Sequence, residues 1–251
     1  MFHTTNLILD AWYPPEKFYI FIVYGPLGYG KSAYSFKLGV EVLKKVYHIE
    51  DNSEAWEKLK QFIIFHPVQF FEKIEQIEES RLRRIPFLIW EDAGLWLYAM
   101  EWSDPFIESF IKYLNVARTH LAALICSSPS PEWVLRKLRR FPSAYTVKII
   151  KETGNTFGDC PYRRLAKIYE FWIHPDLKHS GVRSRHVDEF NCKMPDDFYV
   201  WYKPIRDSYE DMALNVMKEK WNKLKEQSKA LLIENYPQLQ NLSMPKINIT
   251  Y

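Results

Sequence analysis

Residues 25–32 of the chain read Gly25-Pro26-Leu27-Gly28-Tyr29-Gly30-Lys31-Ser32, which has the form G-x-x-x-x-G-K-S. The run before it, FYIFIVY, is β-branched and aromatic and predicts a buried strand over residues 18–24. The segment that follows Ser32 has helical spacing, with Phe36, Val40 and Leu43 on one face. A strand, a glycine-rich turn and a helix in this order predict a phosphate-binding P-loop.

The residue types of this loop suit a bound triphosphate. Glycines let successive backbone N–H groups turn toward phosphates, and the helix N-terminus adds partial positive charge. We expect Lys31 to bridge the β- and γ-phosphates and the Ser32 hydroxyl to ligate Mg²⁺. The predicted cofactors are therefore ATP and Mg²⁺. The predicted ATP contacts are Gly25, Pro26, Leu27, Gly28, Tyr29, Gly30, Lys31, Ser32 and Ala33. The alternative is a glycine-rich turn without a ligand.

A second apolar run, FLIW at residues 87–90, ends in Glu91 and Asp92. This pattern is typical of a Walker B strand, which delivers acidic groups to the edge of a parallel sheet where a nucleotide binds. One carboxylate then serves Mg²⁺ and the next polarises the attacking water. By position Glu91 is the metal-side group and Asp92 the water-activating one. The usual order is Asp then Glu, so the two roles stay open, as does a surface or capping pair.

A third apolar run, residues 121–128, ends in Ser127 and Ser128. In P-loop ATPases a polar residue on the strand beside the Walker B strand senses the γ-phosphate or orients the water. These two serines are our candidates for that role. A pair of serines at the end of a strand is also common without such a function.

Residues 131–140, PEWVLRKLRR, predict a short helix with a basic end, before a strand over 144–150. Many ring-forming ATPases place an arginine finger at such a helix end, where it reaches into a neighbouring subunit. Arg139 and Arg140 are the candidates, with Arg136 and Arg118 behind them. Basic residues at a helix C-terminus also offset the helix macrodipole, which is the alternative.

Composition places the chain among globular proteins, with 251 residues, 47% hydrophobic and 26% charged. No apolar run approaches the roughly 18 residues of a membrane span. The first residues lack a basic n-region and a small-residue cleavage site, so we predict no signal peptide. Three cysteines argue against a disulfide framework and favour a reducing, cytoplasmic setting.

The net charge of +3 is unevenly distributed: residues 1–128 carry −3 and residues 129–193 carry +6. A basic second part suits a polyanion such as DNA, although a solvated basic face is the alternative. A strand over 163–173 is expected to pair with the strand at 144–150 as a hairpin, followed by a basic loop at 178–185. Basic and aromatic residues alternate there: Lys148, Lys151, Tyr162, Arg163, Arg164, Lys167, Tyr169, Phe171 and Trp172.

The remaining segments complete the expected organisation. Helices are predicted over 53–60, 67–84, 104–118 and 206–235, and a short strand over 62–65. We expect a P-loop core at 1–150, a basic hairpin extension at 151–204, and a helix with a tail at 205–251. One loose set of possible metal ligands matches no zinc spacing: Cys160, His174, His179, His186 and Cys192.

Four stretches carry a resemblance to a known family: GPLGYGKSAY, IPFLIWEDAGLWL, ALICSSPSP and VDEFNCKMPDDFYVWY. The chain resembles, over residues 19–217, the DnaA-like or AAA-type P-loop ATPases encoded by archaeal fuselloviruses and related plasmids. This implies a RecA/AAA-like three-layer α/β core with a β-hairpin and a helical extension. It also implies a role in viral replication or genome maintenance.

Carried onto this chain, the family's nucleotide contacts fall on Gly25, Gly28, Gly30, Lys31 and Ser32, with the acidic pair on Glu91 and Asp92. Family members have Asp at the first acidic position, so Glu91 departs from the pattern and puts the metal ligand in question. The chain shows no helix-turn-helix of the kind that the DnaA initiator uses to recognise an origin.

The segment at 118–140 also resembles the pumping ATPases of the FtsK–HerA and phage-assembly type, in which a β-hairpin follows. Three functions stay open: a Mg²⁺-dependent ATPase in DNA replication or remodelling, a DNA-translocating or packaging motor, and a nucleotide-gated interaction module. A phosphotransferase shares the P-loop, although no acceptor signature accompanies it here. The expected partners are DNA, further copies of the chain in a ring, and replication or packaging proteins; no membrane is expected.

Overall fold

The computed structural model describes residues 1–80, 84–98, 104–151, 162–176 and 178–235, except for the side chains of residues 213 and 226–235. The predicted loop at 152–160 and the predicted tail beyond residue 235 lie outside these residues. The chain divides into two compact units, the first at residues 1–198 and the second starting at residue 199. The expected hairpin extension therefore lies mostly within the same unit as the P-loop core.

A seven-stranded sheet organises the first unit, with the strand order β2-β3-β4-β1-β5-β6-β7. The first five strands are parallel and the last two are antiparallel. This confirms the predicted α/β class. The strands are β1 (Tyr19–Tyr24), β2 (Ile63–Ile64), β3 (Leu88–Trp90), β4 (Ala123–Ser128), β5 (Ala144–Lys151), β6 (Arg163–Ile173) and β7 (Ser180–Asn191).

Helices of the first unit flank both faces of the sheet, and one further helix continues into the second unit. They are α1 (His3–Trp12), α2 (Lys31–Val46), α3 (Asn52–Leu59), α4 (Pro67–Glu79), α5 (Pro105–Leu114), α6 (Arg136–Arg139) and α7 (Asp196–Asn235). Asp51 and Asp104 cap α3 and α5 by accepting backbone N–H groups of the first turn. None of the helices in the described part of the chain is both long and apolar enough to span a membrane.

Aromatic packing shows the three layers. Trp90 of β3 stacks on Phe70 of α4 and makes an edge contact with Phe110 of α5, all three fully buried. On the other face, Gly39 of α2 lies against Leu59 and the ring of Phe87, so a Cβ at position 39 would force these side chains to shift. The P-loop helix therefore covers one face, and α4 with α5 covers the other.

The predicted hairpin is confirmed, but the basic loop expected at 178–185 is wrong. Residues 180–185 form the first half of β7, which pairs antiparallel with the whole length of β6. Arg183 and Arg185 both bond the carboxylate of Glu170 on β6, at 2.8 and 2.5 Å. Cross-strand ion pairs let a charged segment join the sheet, and the high charge hid the strand's period of two.

Several predicted helices end earlier than expected. α4 ends at Glu79 and α5 at Leu114, each followed by a capping residue. The helix expected at 131–140 divides into a 3₁₀ turn, Pro131–Trp133, and the short α6. It breaks at Leu135, whose backbone N–H donates to the Leu97 carbonyl at 3.0 Å. A pairing with a distant segment therefore replaces the local helical bond.

Helix α7 begins at Asp196, ten residues before the predicted start, and it includes Pro204. Its first turn, which belongs to the first unit, is fixed by Phe198, which is buried against Phe36 and Trp56. Asp196 and Asp197 also favour the helix N-terminus electrostatically. In the second unit, Trp221 of this helix is exposed.

Arg84 is a buried cation that holds four backbone carbonyls. Its guanidinium donates to the carbonyls of Ala11, Trp12, Lys17 and Leu121, and its exposed fraction is 7%. Ala11 and Trp12 are the last two residues of α1, so Arg84 supplies donors that α1 lacks at its C-terminus. No local sequence pattern indicates this role.

We expect Arg84→Met to lower the free energy of unfolding by about 3 kcal/mol, because several carbonyls would lose a charged donor. Urea denaturation measures this as a lower midpoint at an unchanged m-value. Arg118→Met is the control, since Arg118 is exposed. Equal midpoints for the two variants would contradict the structural role of Arg84.

Candidate functional site

The predicted P-loop connects the C-terminal end of β1 to the first residue of α2. Gly28 and Gly30 have φ angles of 75° and 91°, in the left-handed region that other residues rarely adopt. A Cβ on Gly28 would meet nothing within 4 Å, so its backbone conformation is the reason for glycine there. The backbone thus turns between strand and helix as the sequence predicted.

Lys31 lies at the centre of this loop. Its side chain is buried, and Nζ donates to the carbonyls of Gly25 and Pro26 at 3.0 and 3.2 Å. The ammonium group is therefore held against the loop by acceptors of the loop itself. Pro26 and Leu27 are exposed at its outer side. Tyr29 is half-buried, and Ala33 is buried at the start of α2.

Gly30 has a second reason to be glycine. A Cβ at this position would lie 2.7 Å from the Cβ of Cys192, which follows β7. Any side chain there would force the end of β7 away from the P-loop. A Gly30→Val change would therefore disturb packing as well as phosphate binding, so it is a poor test of nucleotide contact alone.

Ser32 and Glu91 meet at the heart of the site. The Ser32 hydroxyl donates to Glu91 Oε2 at 2.6 Å, although 59 residues separate the two in sequence. Glu91 follows β3 directly and is almost entirely buried. Strand β4 lies between β1 and β3, so the contact bridges across the edge of the sheet above β4. The two residues predicted to serve Mg²⁺ are thus brought together.

Burial raises the pKa of Glu91 from 4.5 to about 7, and the nearby charge of Asp92 adds to the rise. Hydrogen bonds from Ser32 and Ser127 and the charge of Lys31 act in the opposite direction. In the absence of a cation, the carboxyl group is therefore held near the midpoint of its titration at neutral pH. A divalent cation at this position would favour the ionised form.

This raised pKa has a consequence for stability. The folded chain binds the Glu91 proton more tightly than the unfolded chain, so Glu91 lowers stability as pH rises from about 4.5 to about 7. Without Mg²⁺, we expect Glu91→Gln to raise the free energy of unfolding at pH 8 by about 3 kcal/mol or less, and by less at pH 5. Urea denaturation at both pH values measures the difference.

Glu219→Gln is the control for this experiment, because Glu219 is exposed on α7. A gain in stability from Glu91→Gln that is equal at pH 5 and pH 8 would contradict a raised pKa. It would indicate that the substitution changes packing alone.

Asp92 lies beside Glu91 but in a different environment. It is exposed and adopts a left-handed conformation, with φ at 49°. Its backbone N–H donates to Ser127 Oγ at 2.9 Å, and Ser127 is buried at the end of β4. Ser128 is also buried, and its hydroxyl donates to the Ser130 carbonyl at 2.8 Å. Of the two serines, Ser127 contacts the acidic pair.

The two candidate finger arginines differ. Arg139 donates to Glu132 at 2.8 Å and to the Val134 carbonyl at 3.1 Å, so its own chain holds it. Arg140 is exposed, and its guanidinium lies 5.9 Å from the centre of the Phe171 ring. Among the described residues, neither arginine forms a hydrogen bond to the P-loop of its own chain.

A buried network that the sequence did not predict joins three elements near the P-loop helix. Asp188 of β7 accepts the backbone N–H of His3 at 2.6 Å and the Thr4 hydroxyl at 2.7 Å. The Tyr34 hydroxyl lies 2.7 Å from both Thr4 Oγ1 and Asp188 Oδ2. No local pattern reveals these contacts, because their partners are 30 to 185 residues apart.

The loose Cys/His set separates in the structure. His174 and His179 lie with Asp176 in the turn between β6 and β7, where their possible ligand atoms are within 4.8 Å of one another. All three residues are exposed, and both histidines bond Asp176. Cys192 lies instead against Gly30, and Cys160 falls outside the described residues.

Comparisons with known proteins find one distant relative. No family model matches the chain. Uncharacterized protein B-251 of Sulfolobus spindle-shape virus 1 is 28% identical over 200 residues, which cover 79% of this chain and 77% of that protein. The relative is thus viral, as the family resemblance implies.

Three of the solved structures with a partly similar arrangement come from different sources. The genome packaging NTPase B204 of Sulfolobus turreted icosahedral virus 2, in complex with AMPPCP, is 16% identical, with a TM-score of 0.38 over 66% of this chain and 96% of that chain. The KaiC-like protein PH0186 of Pyrococcus horikoshii OT3 is 13% identical, with a TM-score of 0.35 over 67% and 89%.

The third is the N-terminal domain of zonular occludens toxin from Neisseria meningitidis, which is 11% identical, with a TM-score of 0.34 over 73% of this chain and 98% of that chain. All of these TM-scores are below 0.5. Function is therefore inferred from the site of this chain itself.

Proposed function

We propose that this chain is a Mg²⁺-dependent ATPase that acts on DNA as a replication or DNA-remodelling factor. The observation that supports it most directly is the 2.6 Å contact between Ser32 Oγ and Glu91 Oε2. It joins the first turn of the P-loop helix to the acidic end of β3. These are the two elements that a P-loop ATPase uses to hold Mg²⁺ and the phosphates.

The residues present fit both cofactors. Ser32 and Glu91 offer oxygen ligands, which Mg²⁺ prefers. The loop offers backbone N–H groups at a helix N-terminus, and Lys31 already lies against it as a counter-charge for phosphate. When bound, Mg²⁺ would neutralise charge on the β- and γ-phosphates. We assign Glu91 to the metal side because it bonds Ser32.

The remaining residues take the catalytic roles. Asp92, exposed next to Glu91, is the group that would polarise a water molecule. Ser127 holds the Asp92 backbone at 2.9 Å and so sets the position of that carboxylate. Lys31 would stabilise charge on the γ-phosphate as the bond to the leaving ADP breaks.

The basic second half supports the DNA part of the proposal. Residues 129–193 carry a net charge of +6, and much of this segment forms β5, β6 and β7 beside the P-loop strand. The test is steady-state ATP hydrolysis with and without DNA at low salt. We expect DNA to raise the rate severalfold, and the rise to vanish at high salt. A rate that DNA leaves unchanged would contradict this part of the proposal.

A DNA-translocating or packaging motor is the second candidate. The observation that favours it is the sheet itself, because β6 and β7 extend it as an antiparallel hairpin where an AAA protein would have a helical lid. This candidate predicts rings and DNA-stimulated turnover without preference for an origin sequence. Electron microscopy with DNA and a slowly hydrolysed ATP analogue tests for the rings, and hydrolysis rates with DNA of unrelated sequences test for an origin preference.

We infer that Arg140, rather than Arg139, would act in trans if the chain forms rings. Arg139 is engaged by Glu132 and Val134 of its own chain, whereas Arg140 is exposed. We expect Arg140→Ala alone to lose hydrolysis, and a mixture with Lys31→Ala to regain part of it, because mixed rings restore complete sites. An Arg140→Ala variant with wild-type turnover would contradict this assignment.

A further inference from the structure

One face of the sheet lacks the helical cover that it has elsewhere. Thr146 pairs with Ile22 of β1, and Trp90 pairs with Cys126, which also pairs with Ile22. Paired residues point to the same side of a sheet, so Trp90 and Thr146 lie on one face. Over β3 it is covered by α4 and α5, but over β5–β7 its side chains after Ala144 are half-buried or exposed. We name six residues the open face: Thr146, Lys148, Lys167, Tyr169, Phe171 and Val182.

A cavity of about 430 Å³ lies on this face. Its aromatic lining comes from Tyr24, Tyr169 and Phe171, all half-buried. Arg139, its partner Glu132 and Arg140 also line the cavity, and Arg140 lies over the Phe171 ring. Tyr24 directly precedes the first glycine of the P-loop, so the cavity borders the nucleotide loop. Rings and cations around one cavity suit a flat, anionic ligand.

The charges of this face do not balance internally. Its acidic groups have arginine partners: Glu132 bonds Arg139 and Glu189 bonds Arg163. Lys148 and Lys167 stand directly opposite each other on β5 and β6. Within the described part of the chain, neither lysine has a carboxylate within 4 Å. Like charges in register destabilise a sheet, so this pair calls for an external anion.

The reverse face of the same strands is different. Arg183 and Arg185 lie there, and both bond Glu170. Arg164, on that face as well, is buried. On the reverse face two arginines thus share one carboxylate, whereas on the open face two lysines lie in register beside accessible aromatic rings.

We propose that the open face binds single-stranded DNA, an inference that rests on the proposed function and locates its polymer site. Lys148 and Lys167 contact successive phosphates, and Tyr169 and Phe171 stack on bases. Stacking requires unpaired bases, which selects single strands over duplex. The site is continuous with β1 and the P-loop, so DNA and nucleotide bind at adjoining parts of one sheet.

The test is fluorescence anisotropy of a labelled oligothymidylate of about 16 nucleotides, titrated at several salt concentrations. We expect the double variant Lys148→Gln/Lys167→Gln to bind about tenfold more weakly at low salt. The slope of log affinity against log salt should fall by about 1.4, since two phosphate contacts are lost. This variant should unfold no more readily than wild type, because it relieves a repulsion.

Two further variants sharpen the result. Arg183→Gln/Arg185→Gln removes the same charge from the reverse face of the same strands, and we expect its affinity to stay within about twofold of wild type. Phe171→Leu removes one stacking ring but no charge, and we expect at least about fivefold weaker binding at an unchanged salt slope. Arg140 is left intact, because a role in hydrolysis would confuse its effect.

Equal losses in the two charge variants would overturn the inference, since binding would then follow net charge alone. Wild-type affinity in the Lys148/Lys167 variant, or no binding by wild type at low salt, would also overturn it. The inference would also be overturned if light scattering without DNA showed that the Lys148/Lys167 variant self-associates differently from wild type.

The two proposals fail separately. If wild type shows DNA-stimulated ATP hydrolysis but the Lys148/Lys167 variant binds DNA normally, the proposed function holds and the open face is not the DNA site. If the open-face variants weaken DNA binding as expected but the protein does not hydrolyse ATP, the open face is the DNA site and the proposed ATPase function is wrong.

Discussion

Lys31→Ala is expected to weaken MgATP binding at least about 100-fold, which corresponds to about 2.7 kcal/mol. The size follows from the loss of a charged hydrogen-bond donor to phosphate in a buried position. Calorimetric titration with ATP and Mg²⁺ measures it. In the structure the ammonium group already lies within the loop, bonded to the carbonyls of Gly25 and Pro26. Its removal therefore acts at the place where phosphates are expected.

Lys44→Ala is the matched control, because Lys44 lies on the same helix in its last turn, far from the loop. Its affinity for MgATP should equal that of wild type. Thermal unfolding without nucleotide checks that Lys31→Ala keeps its fold. Undiminished binding in a folded Lys31→Ala variant would contradict the assignment of the P-loop as the nucleotide site.

Asp92→Asn is expected to slow single-turnover ATP hydrolysis by about 100-fold or more, while MgATP binding changes by less than about threefold. Asparagine keeps the shape and the backbone bond to Ser127 but cannot accept a proton. The exposed position of Asp92 allows it to act on water without serving as the buried ligand, a role assigned to Glu91. Rapid mixing with excess enzyme measures the chemical step.

Asp211→Asn, exposed on α7, is the control for this comparison. Hydrolysis that is equally slow in wild type and in Asp92→Asn would contradict a catalytic carboxylate at this position. The nucleotide-gated interaction module would then be the better description, since such a protein binds ATP without rapid turnover.

The sequence predicted the strand, turn and helix of the P-loop well because their signals are local. The strand before Gly25, the glycines of the turn and the apolar face of α2 all lie within one short segment. The same holds for Glu91, which follows an apolar run at the end of β3. Local signals of this kind do not depend on contacts with distant parts of the chain.

The parts that the sequence missed depend on distant contacts. The helix predicted at 131–140 breaks because Leu135 bonds Leu97, and β7 forms because Arg183 and Arg185 find Glu170 on the neighbouring strand. The roles of Arg84 and Asp188 likewise require knowledge of which elements are neighbours. Propensity and spacing contain no such information.

For the candidate site, the sequence predicted the residues but left open how they divide the work. It left open which acidic residue serves the metal, and the structure favours Glu91 by placing it 2.6 Å from Ser32. It offered two serines, of which Ser127 holds the backbone of Asp92. Such choices turn on distances of a few ångströms, which sequence spacing cannot supply.

The most direct test of the central claim is a crystal structure with Mg²⁺ and a slowly hydrolysed ATP analogue. We predict phosphate oxygens on the backbone N–H groups of the P-loop, Lys31 moved from the Gly25 carbonyl to the β- and γ-phosphates, and Mg²⁺ about 2.1 Å from Ser32 Oγ on the Glu91 side. An analogue bound elsewhere, with the Lys31 and Ser32–Glu91 contacts unchanged, would contradict the account.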